Sequence, residues 1–137
     1  MQEFLNILFI EDDTIESMKF NRVIKTLNLP HNIKEVRNGE EAIEFLKLKQ
    51  NLPNIIILDL NMPKLNGIEF LIILKKETDL KSIPAIILTT SNNFKDVKQC
   101  YEIGIAGYII KPLKYEDYVY KIKILIEYWS CNRLISI

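Results

Sequence analysis

The sequence predicts an α/β protein: a five-stranded parallel sheet with five helices on both faces, in one domain over residues 1–137. Two observations carry this. Short apolar runs alternate five times with segments of helical period, joined by brief links. Two of the runs, Ile55-Ile56-Ile57-Leu58 and Ala85-Ile86-Ile87-Leu88, have no polar alternation, the pattern of strands buried on both faces. The length of 137 residues, with 48% apolar and 26% charged, suits a single core.

The elements follow in order. Leu5 to Ile10 is a strand that runs into Glu11-Asp12-Asp13, and Asp13 is placed to cap the next helix. That helix carries Phe20, Val23, Ile24 and Leu27 on one stripe and stops at Asn28-Leu29-Pro30. Asn32 to Val36 is a more polar strand, suited to a sheet edge. Asn38-Gly39 turns the chain into a helix over Glu40–Leu48 that buries Ala42, Phe45 and Leu46. The aliphatic run Ile55–Leu58 leads into Asp59, and Met62-Pro63 ends it because proline cannot donate to a sheet ladder. Lys64 to Gly67 opens a third helix with Ile68, Leu71 and Leu74 inward. After a loop closed by Pro84, Ala85–Leu88 ends in Thr89-Thr90-Ser91. A fourth helix spans Lys95–Ile103 and stops near Gly104. Gly107–Ile110 is a fifth strand ending in Lys111-Pro112, and the last helix covers Tyr115–Trp129.

Composition removes several function classes. Lysine plus arginine (18) equals aspartate plus glutamate (18), so the basic excess of a nucleic-acid binder is missing, as is a polybasic membrane anchor. No apolar run has the length of a membrane span, and Met1-Gln2-Glu3-Phe4 does not open a signal peptide. Cys100 and Cys131 form no C-x-x-C pair, which fits free thiols in a cytoplasmic protein. The one histidine, His31, is expected to be a solvated loop residue, and it cannot by itself supply a histidine-based zinc site.

Functional groups collect where the strands end. In a parallel sheet all carboxyl ends lie on one edge, where ligand sites form. Here that edge receives Glu11-Asp12, Asp59, Thr89 and Lys111. Two carboxylates that close repel by about 3 kcal/mol at an effective dielectric near 20. Lys111 offsets part of this, and a hard divalent cation such as Mg2+ suits the remaining oxygen donors. A cation, a lysine and a hydroxyl together can stabilise a phosphoryl group in transfer. None of the four glycines has G-x-G spacing, so a bound nucleotide is not the expected donor. Asp59, on the central strand, is the natural acceptor.

With these residues in place, the chain resembles a response-regulator receiver domain from end to end. The resemblance rests on Glu11-Asp12, the D-x-x-x-P segment Asp59 to Pro63 with Gly67 beyond it, Thr89, Tyr108 and Lys111-Pro112. It implies a flavodoxin-like fold with strand order 2-1-3-4-5. It also implies that Asp59 accepts a phosphoryl group from a sensor histidine kinase or phosphotransfer protein. Asp12 and Asp59 would hold Mg2+, with Glu11 acting through water and Asn61 through its carbonyl. Thr89 and Lys111 would bind phosphoryl oxygens, and Tyr108 would change rotamer as Thr89 moves. Pro84 to Ser91, Tyr101, Tyr108, Lys111-Pro112 and Tyr128-Trp129 are further similar to stand-alone receivers of phytochrome-type sensor kinases.

The protein so implied is a switch that promotes only its own phosphorylation and dephosphorylation. With no second domain after Trp129, its output would come through a downstream partner protein. At about 100° per residue, Tyr120, Ile124 and Tyr128 fall opposite the buried face of the last helix. That stripe, with the fourth helix and fifth strand, is a candidate homodimer or partner surface. One alternative is a receiver-shaped module that binds partners without phosphorylation. An aspartyl-phosphate phosphatase would want a second acid where Asn61 stands, and a flavodoxin-like carrier a hydroxyl-rich loop where Glu11-Asp12-Asp13 stands.

Overall fold

The computed structural model describes residues 4–135. Five strands form one parallel sheet in the order β2-β1-β3-β4-β5. They are β1 (Asn6–Ile10), β2 (Asn32–Val36), β3 (Ile55–Leu58), β4 (Ala85–Thr89) and β5 (Gly107–Ile110). The helices between and after them are α1 (Thr14–Thr26), α2 (Gly39–Lys47), α3 (Gly67–Lys76), α4 (Phe94–Ile103) and α5 (Tyr115–Ser130).

The aliphatic strands sit in the middle because alternate side chains of β1, β3 and β4 feed two separate cores. Ile7, Phe9, Ile55, Ile57, Ile86 and Leu88 pack under α1 and α5 with Phe20, Val23, Tyr118, Ile122 and Ile126. Leu8, Ile10, Ile56, Leu58 and Ile87 pack under α2, α3 and α4 with Ala42, Leu46, Phe70, Leu71, Leu74 and Cys100. Phe9 and Phe20 stack with centroids 4.1 Å apart, fixing α1 against the sheet. The polar strand β2 is an edge, as its sequence predicts.

Local chemistry sets the helix ends. Asp13 caps α1, its carboxylate accepting from Ile15 N at 2.9 Å and Glu16 N at 3.4 Å. Asn66 and Glu69 form a reciprocal capping box on α3. Gly104 ends α4 at φ 117°, where a side chain would be strained.

Several burial expectations need correction. Leu27, Phe45 and Ile68 are only partly buried, and Phe70 joins Leu71 and Leu74 as a fully buried residue of α3; on α5, Tyr115, Val119 and Trp129 are also partly buried. His31 is not a solvated loop residue. Its Nδ1 accepts the Leu5 N–H at 3.0 Å, its Nε2 is buried, and this burial lowers its pKa from 6.5. Helix α5 ends at Ser130, and Cys131 is its C-cap. No described helix is long and apolar enough to cross a membrane.

Candidate functional site

The parallel register brings four strand ends to one edge. β1 ends at Ile10, opposite Leu58 of β3, so Glu11-Asp12 and Asp59 leave the sheet side by side. Backbone bonds pin this edge: Asp59 N–H donates to the Ile10 carbonyl at 3.2 Å, and Lys111 N–H to the Thr89 carbonyl at 2.7 Å. Carboxylate oxygens of Glu11, Asp12 and Asp59 lie within 4.8 Å of one another. Three acids this close, with Asp12 and Asp59 partly exposed, are a donor set that fits a hard divalent cation.

Lys111 is the counter-charge. Its Nζ lies 2.7 Å from Glu11 Oε1, 3.6 Å from Asp59 Oδ2 and 3.5 Å from Glu16 Oε2, and the side chain is buried. Burial pushes the Glu11 carboxyl up to about 7, against the hydrogen bond and charge of Lys111 and with help from Asp59. Burial also disfavours charged Lys111. Its hydrogen bond to Glu11 and the charges of Asp59, Glu11 and Glu16 outweigh that and hold its pKa above the ordinary lysine value. Lys111 is therefore a cation at neutral pH. The strain of the cluster falls on its acids, and a divalent cation against the same oxygens would relieve it.

The remaining predicted residues frame this centre. Asn61 is exposed, and its N–H approaches Asp59 Oδ1 at 3.4 Å. Thr89 is fully buried, with the Ser91 N–H directed at its hydroxyl from 3.4 Å. Tyr108 donates its hydroxyl to the Ser91 carbonyl at 2.8 Å, and the Ser91 hydroxyl reaches Asp96 at 2.9 Å. The three predicted surface residues are exposed: Tyr120 by 65%, Ile124 by 45% and Tyr128 by 59%. Ile124 and Tyr128 line an apolar groove of about 450 Å³ with Tyr108, Ile110 and Lys121, and Tyr120 lies outside it.

Glu16 is a residue of the site that the sequence reading passed over. Asp13-x-x-Glu16 has capping-box spacing, which assigns the glutamate to the helix end. The structure directs it elsewhere. The Asp13 N–H approaches Glu11 Oε2 at 3.3 Å, and Glu16 turns toward Lys111. The available signal was position: Glu16 lies one helical turn beyond Asp12, on the helix that starts at the acidic strand end.

Comparison with known proteins identifies the family and the fold. The family model described as response regulator receiver domain matches residues 7–123. The chain is 35% identical over 128 residues to the response regulator Rcp1 of Synechocystis, covering 90% of this chain and 87% of Rcp1. It is 34% identical over 127 residues to the probable methanogenesis regulatory protein FilR2 of Methanothrix harundinacea, covering 90% and 82%. Among solved structures it resembles the phosphorylated cyanobacterial phytochrome response regulator RcpA, with TM-score 0.90 and 30% identity over 97% of this chain and 99% of RcpA. The Mn2+-bound form of Rcp1 superposes with TM-score 0.89 at 33% identity, covering 96% and 99%.

Proposed function

Because the chain belongs to the response regulator receiver family of two-component signalling, we propose that Asp59 is its phosphoacceptor and that phosphorylation drives partner binding. The observation that carries this reading is the placement of Lys111 Nζ between Glu11 and Asp59, beside three carboxylates that fit a divalent cation.

Asp12, Asp59 and the Asn61 carbonyl would hold Mg2+, with Glu11 reaching it through water. When bound, the ion neutralises charge on the phosphoryl oxygens. The phosphoryl donor is a phosphohistidine of a sensor kinase or phosphotransfer protein. An Asp59 carboxylate oxygen attacks phosphorus in line, the P–N bond breaks, and the imidazole nitrogen takes up a proton. The Lys111 ammonium and the Thr89 hydroxyl then bind phosphoryl oxygens. In the return reaction water attacks phosphorus and Asp59 leaves as a carboxylate. Asn61 and Ser91, two places beyond Asp59 and Thr89, flank the approach of that water.

The signal leaves through β4 and β5. Thr89 moving toward the new charge drags Ser91, to whose carbonyl the Tyr108 hydroxyl is tied. Tyr108 also borders the apolar groove on β5 and α5, so the site and the groove share one side chain. The α4–β5–α5 face is accordingly the partner surface, for a second copy or an output protein. Incubation with Mg2+ and acetyl phosphate should add one phosphoryl group to the wild type and none to Asp59→Asn, read by intact mass. Label retained in Asp59→Asn overturns the assignment.

A further inference from the structure

We propose that Glu16 is a positioning residue for Lys111, holding its ammonium partly away from Asp59 and so limiting how far the phosphorylated state accumulates. This rests on the reading of Asp59 as the acceptor and deepens it.

Lys111 Nζ stands almost equally far from Glu16 Oε2, at 3.5 Å, and from Asp59 Oδ2, at 3.6 Å, while Glu11 Oε1 anchors it at 2.7 Å. Glu16 Oε2 is buried and has no hydrogen-bond partner, so the Lys111 charge is its chief compensation. The other cation near Glu16 is Lys19, whose Nζ is 3.9 Å from Oε1 and 4.3 Å from the centre of the Tyr118 ring. The buried Tyr118 hydroxyl has no partner and is not hydrogen-bonded to Glu16.

One ammonium is therefore divided among three acids from two elements, the strand ends on one side and α1 on the other. Transfer from acetyl phosphate forms the Asp59 O–P bond as the donor's P–O bond breaks and acetate departs. Asp59 then carries more negative charge, and Lys111 must follow it. Each step toward Asp59 withdraws compensation from Glu16 Oε2. The pull of Glu16 thus opposes the phosphorylated state through Lys111, without Glu16 touching the phosphoryl group.

The full-length wild type, Glu16→Gln and Glu16→Asp are compared at a subsaturating concentration of acetyl phosphate with Mg2+. The ratio of phosphorylated to unphosphorylated protein is read by intact mass. Glutamine keeps the shape and removes the charge, and should raise this ratio about three- to fivefold, the size expected of a partly screened ion pair. Aspartate restores the charge and should return the ratio close to that of the wild type. A Glu16→Gln ratio at or below wild type, or a Glu16→Asp ratio as high as that of Glu16→Gln, overturns the inference. A wild type that takes no label overturns the Asp59 reading beneath it, a different and distinguishable failure.

Discussion

At the scale of residues, one buried ammonium faces three carboxylates and makes a short hydrogen bond to only one of them. The 2.7 Å contact goes to Glu11, and Asp59 and Glu16 share what remains. The sequence reveals the acids at strand ends because each follows an apolar run directly. It conceals Glu16 because helix-capping chemistry explains a glutamate at that spacing equally well. His31 was hidden for a related reason: a histidine beside proline reads as loop, and only the fold brings the Leu5 N–H to its Nδ1. That contact makes stability depend on pH. Burial lowers the folded pKa of His31 from 6.5, so below that pH the unfolded chain takes up a proton that the folded protein resists. Its stabilising contribution is present above pH 6.5 and is lost as pH falls through the folded value. Protonation also puts a hydrogen on the nitrogen that must accept from Leu5, a loss of about 1 kcal/mol. Relative to wild type, His31→Asn should become less destabilised as pH falls from 7 to 5, in urea unfolding. A difference independent of pH would show that His31 titrates alike in both states. The paired comparison matters because Glu11, raised to about 7, makes the opposite contribution, favouring the folded state as pH falls.

Among elements, the connection from β3 to α3 is tightly specified. The sequence gives its parts, an aliphatic run, Asp59, Pro63 and a glycine, but not why the glycine is needed. A Cβ at Gly67 would lie 2.7 Å from the Asp59 carbonyl oxygen and 2.8 Å from Leu60 Cα. The start of α3 is therefore pressed against the segment that carries the acceptor. The Gly67 N–H donates to the Leu60 carbonyl at 3.1 Å across the same contact. Because both obstacles are backbone atoms, no side chain can swing aside to make room. Gly67→Ala should cost about 2 kcal/mol, the usual scale of overpacking, measured by urea unfolding. It should also slow labelling of Asp59 by acetyl phosphate, since relief requires the Asp59–Leu60 backbone to shift. Unchanged stability would mean that the helix start has slack. Strand identities were legible because an unbroken aliphatic run has few other solutions. Partial burial of Phe45 or Trp129 was not, because it depends on how far each helix overhangs the sheet, which periodicity along one helix does not encode.

At the scale of the molecule, the two faces of the sheet are covered unequally. α1 and α5 share one face and α2, α3 and α4 the other. β5, the last strand at its edge, is only partly buried along its whole length. Its apolar side chains and those of α5 frame the groove at Ile124 and Tyr128. Helical period alone pointed to a stripe of three residues. All three are exposed; Ile124 and Tyr128 line the groove, and Tyr120 lies outside it. Tyr101 and Phe94 of α4 are also exposed. If two copies pair through it, a glutamate in this apolar groove must be desolvated, a cost that Lys121 in the lining offsets only in part and that weakens a modest interface. Ile124→Glu and Tyr128→Glu should each shift the solution mass from that of a pair toward the 16.1 kDa of one chain. Tyr120→Glu, outside the groove, should leave it unchanged. Light scattering on phosphorylated and unphosphorylated protein checks this directly. If the charge of Asp59 reaches the groove through Tyr108, phosphorylation and these substitutions should move the mass in opposite directions. A mass indifferent to both glutamates would assign the face to an output protein rather than to a second copy.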